Sequence, residues 1–93
     1  MIRALCLALM LSSCASVAEA PACGPRAEVI ERLGRVYGEA TVAIGVSNTG
    51  TVMELLASPM GTWTLITTDT RGVSCLSDAG AHLQFVRPRY GRP

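Results

Sequence analysis

Three residues near the end of the chain, Cys75, Asp78 and His82, carry the side-chain types of a thiol nucleophile, a carboxylate and a base. Such a set does chemistry only when the cysteine is a free thiolate held beside its base. A second cysteine, Cys23, lies far upstream. If the two are joined, no thiolate remains. The other carboxylates that could share proton-transfer work are Glu54, Asp69 and Asp78, and they are scattered along the sequence. An acid–base pair would need the fold to bring two of them together. Both aspartates stand in turn-like or loop-like surroundings, Asp69-Thr70-Arg71-Gly72 and Asp78-Ala79-Gly80-Ala81, where aspartate serves the backbone. A zinc site wants several converging His, Cys or carboxylate ligands, and this chain has a single histidine. Phosphate-cradling glycine motifs are absent, and there is no lysine to complete one. The expectation is therefore a protein with no catalytic residue, no cofactor and no metal, and not an enzyme.

Recognition has two candidate carriers. Trp63 sits in the run Thr62-Trp63-Thr64-Leu65-Ile66-Thr67-Thr68, either as an exposed aromatic anchor or as the centrepiece of a small core. Arg87, Arg89 and Arg92 lie with two prolines in a carboxylate-free tail, which reads as disordered or polyproline-like. The formal net charge of +1 argues against nucleic acid as a partner.

The N-terminus bears on where any such chemistry takes place. Fifteen of the first twenty residues are apolar, and the unbroken run Ala4–Leu11 follows one charged residue, Arg3. This is the pattern of a secretion signal, too short to span a bilayer core of roughly 30 Å. The mature protein is thus expected to have no transmembrane helix. Small-residue patterns place cleavage after Ala18 or Ala22. Leu11-Ser12-Ser13-Cys14 also resembles a lipobox, in which cleavage after Ser13 would leave a lipidated Cys14. The expected location is periplasmic or extracellular, with an envelope lipoprotein anchored through Cys14 as the alternative. Cys6 leaves with the signal under either route, and Cys14 is removed or acylated. Cys23 and Cys75 remain, and in an oxidising compartment a disulfide between them is expected.

The elements that must position these residues follow from periodicity. Pro25 suits a first helical turn. Val29, Ile30, Leu33, Val36 and Tyr37 then form one apolar stripe, with Glu28/Arg32 and Glu31/Arg35 as i,i+4 pairs. Gly38 stops a helix predicted over 25–37. Alternation takes over at 41–47, with Val42, Ile44 and Val46 on one face, and further strands are predicted at 51–58, 62–68 and 73–77. Leu83–Val86 is a candidate for a short edge strand or a cover for the core. The layout is α+β: one N-terminal helix packed on a three- to four-stranded antiparallel sheet, closed by one disulfide. Cys75 is expected on the same sheet face as Val73, against the helix. The domains read as 1–22 signal, 23–86 folded domain and 87–93 tail, without internal repeats.

Cys23-Gly24-Pro25-Arg26 ahead of a helix ending at Tyr37, then Gly61-Thr62-Trp63-Thr64, then Gly72-Val73-Ser74-Cys75-Leu76, resembles a group of small exported proteins of alphaproteobacterial type. The likeness covers roughly residues 23–80. It implies export and the Cys23–Cys75 link, and carries over no activity, ligand or catalytic residue. The function expected is that of a non-catalytic binding or interaction module of the bacterial envelope, with an unknown envelope protein or ligand as partner. One alternative is a small envelope enzyme using scattered carboxylates or a free Cys75. Another is a lipid-anchored structural protein or a protein inhibitor.

Overall fold

The computed structural model describes residues 22–91. The signal up to position 21, the cleavage positions after Ser13 and Ala18, Cys14 and Arg92 lie outside them. Along the chain run β1 (Cys23–Pro25), α1 (Arg26–Tyr37), β2 (Ala40–Val46), β3 (Val52–Ala57), β4 (Trp63–Thr68) and β5 (Val73–Gly80). The strands form one antiparallel sheet in the order β1-β5-β4-β3-β2. The helix carries the chain from one edge of the sheet to the other, and a four-stranded meander brings it back beside its start.

The fold is α+β, as expected, but the sheet has five strands rather than three or four. The extra strand, β1, is Cys-Gly-Pro. Glycine and proline are poor strand formers, and no alternation can show in three residues. What makes it a strand is pairing with β5, where Cys23 stands opposite Cys75 and Pro25 opposite Val73. At an edge, proline's missing N–H costs little. Cys23 and Cys75, 52 positions apart, are joined by the disulfide. The bond therefore ties the first strand to the last.

The helix begins without a side-chain cap. Instead, the Arg26 N–H donates to the Gly72 carbonyl at 3.1 Å, a tertiary contact that satisfies one orphan donor of the first turn. At its end the Gly38 and Glu39 N–H groups donate to the Gly34 and Leu33 carbonyls. Leu33 is buried, and Val29 and Ile30 pack with it on Leu56, Ile66 and Leu76. The stripe is thus correct over its first two turns. Its last members, Val36 and Tyr37, remain 55% and 57% exposed. Of the two ion pairs read from spacing, Glu31–Arg35 forms at 3.0 Å.

The meander contains an 11-residue repeat that composition does not announce. Ser47, Ser58 and Asp69 each open a turn whose fourth residue is Gly50, Gly61 or Gly72. In all three, the glycine N–H donates to the first residue's carbonyl, and that residue's N–H donates to the carbonyl of the fifth. The first side chain also accepts from the fifth residue's N–H, at 3.1 Å in every copy. The glycines have φ of 87°, 95° and 85°, a region in which a Cβ is disfavoured. Of the four turn positions only the glycine is the same residue in all three copies.

Two further corrections concern faces. Leu76, Ile66 and Glu54 are cross-strand partners beneath the helix, and Ser74 pairs with Thr68 on the same side. Side chains alternate along a strand, so Cys75 and Val73 point to the opposite, outer face. The cysteine shares its face with Val73 as expected, but that face is not the one against the helix. In β2, a bulge at Thr41/Ala43 interrupts the Val42-Ile44-Val46 alternation. All three stay exposed, because this edge strand runs beyond the helix's cover. Leu83–Val86 forms no strand. Leu83 is half-buried and donates its N–H to Gly61 O at 3.0 Å, while Phe85 and Val86 stand in solvent. Among the described residues no helix is long and apolar enough to cross a membrane.

Candidate ligand cleft

β1 pairs with Val73–Cys75 of the eight residues of β5 and the Leu76 N–H donates to the Ala22 carbonyl at 2.8 Å, so beyond Leu76 that strand borders open space under the C-terminal half of α1. Two adjoining hollows fill this space, of about 250 and 200 Å3, sharing Leu33, Tyr37 and Leu76 in their walls. The first reaches toward β1 and takes in Gly24, Val29, Arg32 and Val36. The second runs to the far end of the sheet, between the helix C-terminus, the segment Thr62–Thr64 and Ala79–Gly80. Together they make a cleft with an apolar floor and a rim of exposed Val36 and Tyr37. The helical period revealed that these two were apolar. It gave no sign that the sheet would end short of them.

Trp63 stands beside this cleft. It is half-buried, outside the cluster of Leu33, Leu56 and Ile66. It pairs with Gly80, and its Nε1–H donates to the Ala81 carbonyl at 3.3 Å. A methyl group added at Gly80 would come within 3.0 Å of the indole. Gly80→Ala is therefore expected to displace the ring and lose its hydrogen bond, costing about 1 kcal/mol. The checks are a red-shifted tryptophan emission and a lowered melting temperature; unchanged emission would contradict this packing.

The second hollow holds a residue that sequence reasoning passed over. Glu39, just beyond the helix, is only 4% exposed and lines the hollow. Its Oε1 is buried without a hydrogen-bond partner. No ion pair to it forms among the described residues. The available signal was its position, a carboxylate directly after a helix-stopping glycine, where the helix dipole disfavours negative charge.

The other carboxylates have structural work. Glu54 is fully buried on β3 and accepts two hydrogen bonds from Arg26, both 2.8 Å, and a third from Thr41 Oγ1 at 3.1 Å. The bidentate guanidinium holds its carboxyl below the usual carboxylate range, against the opposing effect of burial. The Asp69 carboxylate accepts from the Arg71 side chain and from the Arg71 and Val73 N–H groups, which lowers its pKa too. Asp78 accepts from the Ala79 N–H at 2.8 Å. Glu54, Asp69 and Asp78 occupy the middle of β3, the β4–β5 turn and the later half of β5, so the fold does not assemble them into a site. Among the described residues no cluster of three His, Cys, Asp or Glu side chains could hold a metal. Cys75 is bonded to Cys23, and His82 lies past the end of β5 at φ 60°. Arg87 and Arg89 are exposed in a segment without regular structure. The chain matches no protein-family model, no curated protein and no solved structure.

Proposed function

We propose that this protein is a non-catalytic binding module of the bacterial envelope, exported by its N-terminal signal and using the cleft between α1 and β5 to hold its partner. The observation that carries this reading is the cleft itself. Val36 and Tyr37 end an apolar helical stripe whose first half is packed in the core, and they stand exposed over an apolar hollow. Apolar side chains convergent on a concave surface are what a recognition site requires. A non-catalytic role is supported by the engagement of Cys75 in a disulfide and of Glu54 with Arg26. Export is supported by that same bond, since structural disulfides form and persist chiefly in oxidising compartments. Whether the mature chain is free or held through Cys14 is read from the intact mass of its N-terminus, where a diacylglycerol-sized addition marks the lipoprotein.

The cleft is tested by a photo-crosslinking residue placed at Val36, and separately at Thr70 in a turn remote from it, in cells that export the full-length protein. The expected result is a discrete adduct from position 36 and none from position 70. Equal labelling from both, or none from either, would overturn the assignment.

A further inference from the structure

The inner end of the cleft has a chemistry of its own. Glu39 lines a hollow of about 200 Å3 yet is almost wholly withdrawn from solvent, and its Oε1 is buried without a hydrogen-bond partner. Buried acceptors are nearly always paired, so such an atom calls for a specific cause. The location compounds the cost. Glu39 follows the C-terminus of α1, whose final carbonyls present partial negative charge to it. The basic residue of that last turn, Arg35, is engaged with Glu31 on the outer side. Among the described residues no basic side chain lies within ion-pair distance of Glu39, although Arg32 lines the adjoining hollow.

The walls say what would neutralise it. Leu33 and Leu76 are apolar, Tyr37 brings a phenol ring, and Thr62 and Thr64 form the far wall, the Thr62 hydroxyl donating to Ser58 Oγ at 2.7 Å. A single carboxylate among such walls is a poor match for a hydrated divalent metal, which needs several oxygen ligands. It suits a monovalent organic cation, whose alkyl portion rests on the leucines while its charge meets the carboxylate and the aromatic face.

We propose that the Glu39 end of the cleft binds an organic ammonium group, either the side chain of a partner's lysine or a small free amine. This rests on the cleft being the binding surface, and names the chemistry of its inner end. The test is titration of the isotopically labelled, disulfide-bonded mature protein, followed by amide chemical shifts. The probes are tetramethylammonium, blocked lysine amide, and neopentyl alcohol as the neutral counterpart of the first. Saturable shifts at Glu39 and at Thr62–Thr64 are expected for the two cations. Glu39→Gln, a near-isosteric change whose spectrum reports directly on folding, is expected to weaken them by about tenfold or more, as for a charge-assisted contact. Tyr37→Leu, at an exposed position, should weaken them less. A tighter fit for blocked lysine would identify a side chain as the natural occupant, and a tighter fit for tetramethylammonium a free quaternary amine. If neopentyl alcohol binds as well as the cations, or if Glu39→Gln binds them equally, the cation site is refuted while the cleft survives. Absence of saturable shifts with every probe refutes the cation site, and the cleft is then judged by the crosslinking result alone.

Discussion

Cys75→Ser is expected to lower the unfolding free energy by about 2–5 kcal/mol, the usual loss for a native disulfide in a small secreted domain. The chain-entropy argument gives about 4 kcal/mol for closing a loop of this length, 52 positions between the two cysteines. The topology explains why a loss of this size should be felt across the whole domain. The bond joins β1, the three-residue edge strand that leads into the helix, to β5, the last strand of the chain. Without it, β1 keeps only a short run of pairing to hold it in place, and the tertiary cap that Gly72 gives to Arg26 is loosened. Against a typical domain stability of about 5–15 kcal/mol, the change is large. Chemical denaturation of the oxidised protein and the variant measures it directly, and an unchanged midpoint would show that the bond contributes nothing. The same variant bears on the catalytic alternative. A thiol titration of the folded protein should find Cys23 and Cys75 unreactive, whereas two titratable thiols would restore Cys75 as a nucleophile candidate.

Arg26→Ala is expected to cost about 2–3 kcal/mol, near the lower end for breaking a buried pair because the Arg26 side chain is 47% exposed while that of Glu54 is fully buried. The loss comes from the partner left behind. Glu54 keeps only the Thr41 hydroxyl as a hydrogen-bond partner for its buried carboxylate. Arg35→Ala removes a pair in which both side chains are exposed, and should leave the melting temperature within error. The pH dependence carries a sign. The Glu54 carboxyl is held below its ordinary value in the folded protein, so the unfolded chain takes up its proton first as pH falls. The stability this supplies is complete above the ordinary glutamate value of about 4.3, and is lost as pH drops through the lower native value. Wild-type melting temperatures should therefore fall on the acid side of about pH 4. In Arg26→Ala that acid-side fall should shrink, since the guanidinium that depressed the carboxyl is gone. Parallel acid limbs in the two proteins would contradict the account.

How much of this was legible in advance depended on whether a feature is local. The helix from Arg26 to Tyr37, the four meander strands and their glycine turns were all readable, because apolar period and turn chemistry act over a few residues. The Cys23–Cys75 bond was readable by elimination, since the other two cysteines precede the domain. Glu54 was noticed only as one of several carboxylates, because nothing within 28 positions of it reveals Arg26 as its partner. Glu39 was not singled out at all. Its burial depends on a helix end, two strand ends and a turn meeting at one corner, none of which is written in its neighbours.

The amino-acid order alone determined the kinds of element, their sequence and the pair of sulfurs available to close them, because propensity, periodicity and composition are properties of short segments. Tertiary structure decided which face each residue uses, that Cys-Gly-Pro becomes a strand, and that Val36, Tyr37 and Glu39 border an open hollow rather than a filled core. Those outcomes depend on register and on how far one element extends over another. Such distances are settled only when residues remote in the chain compete to pack against the same surface.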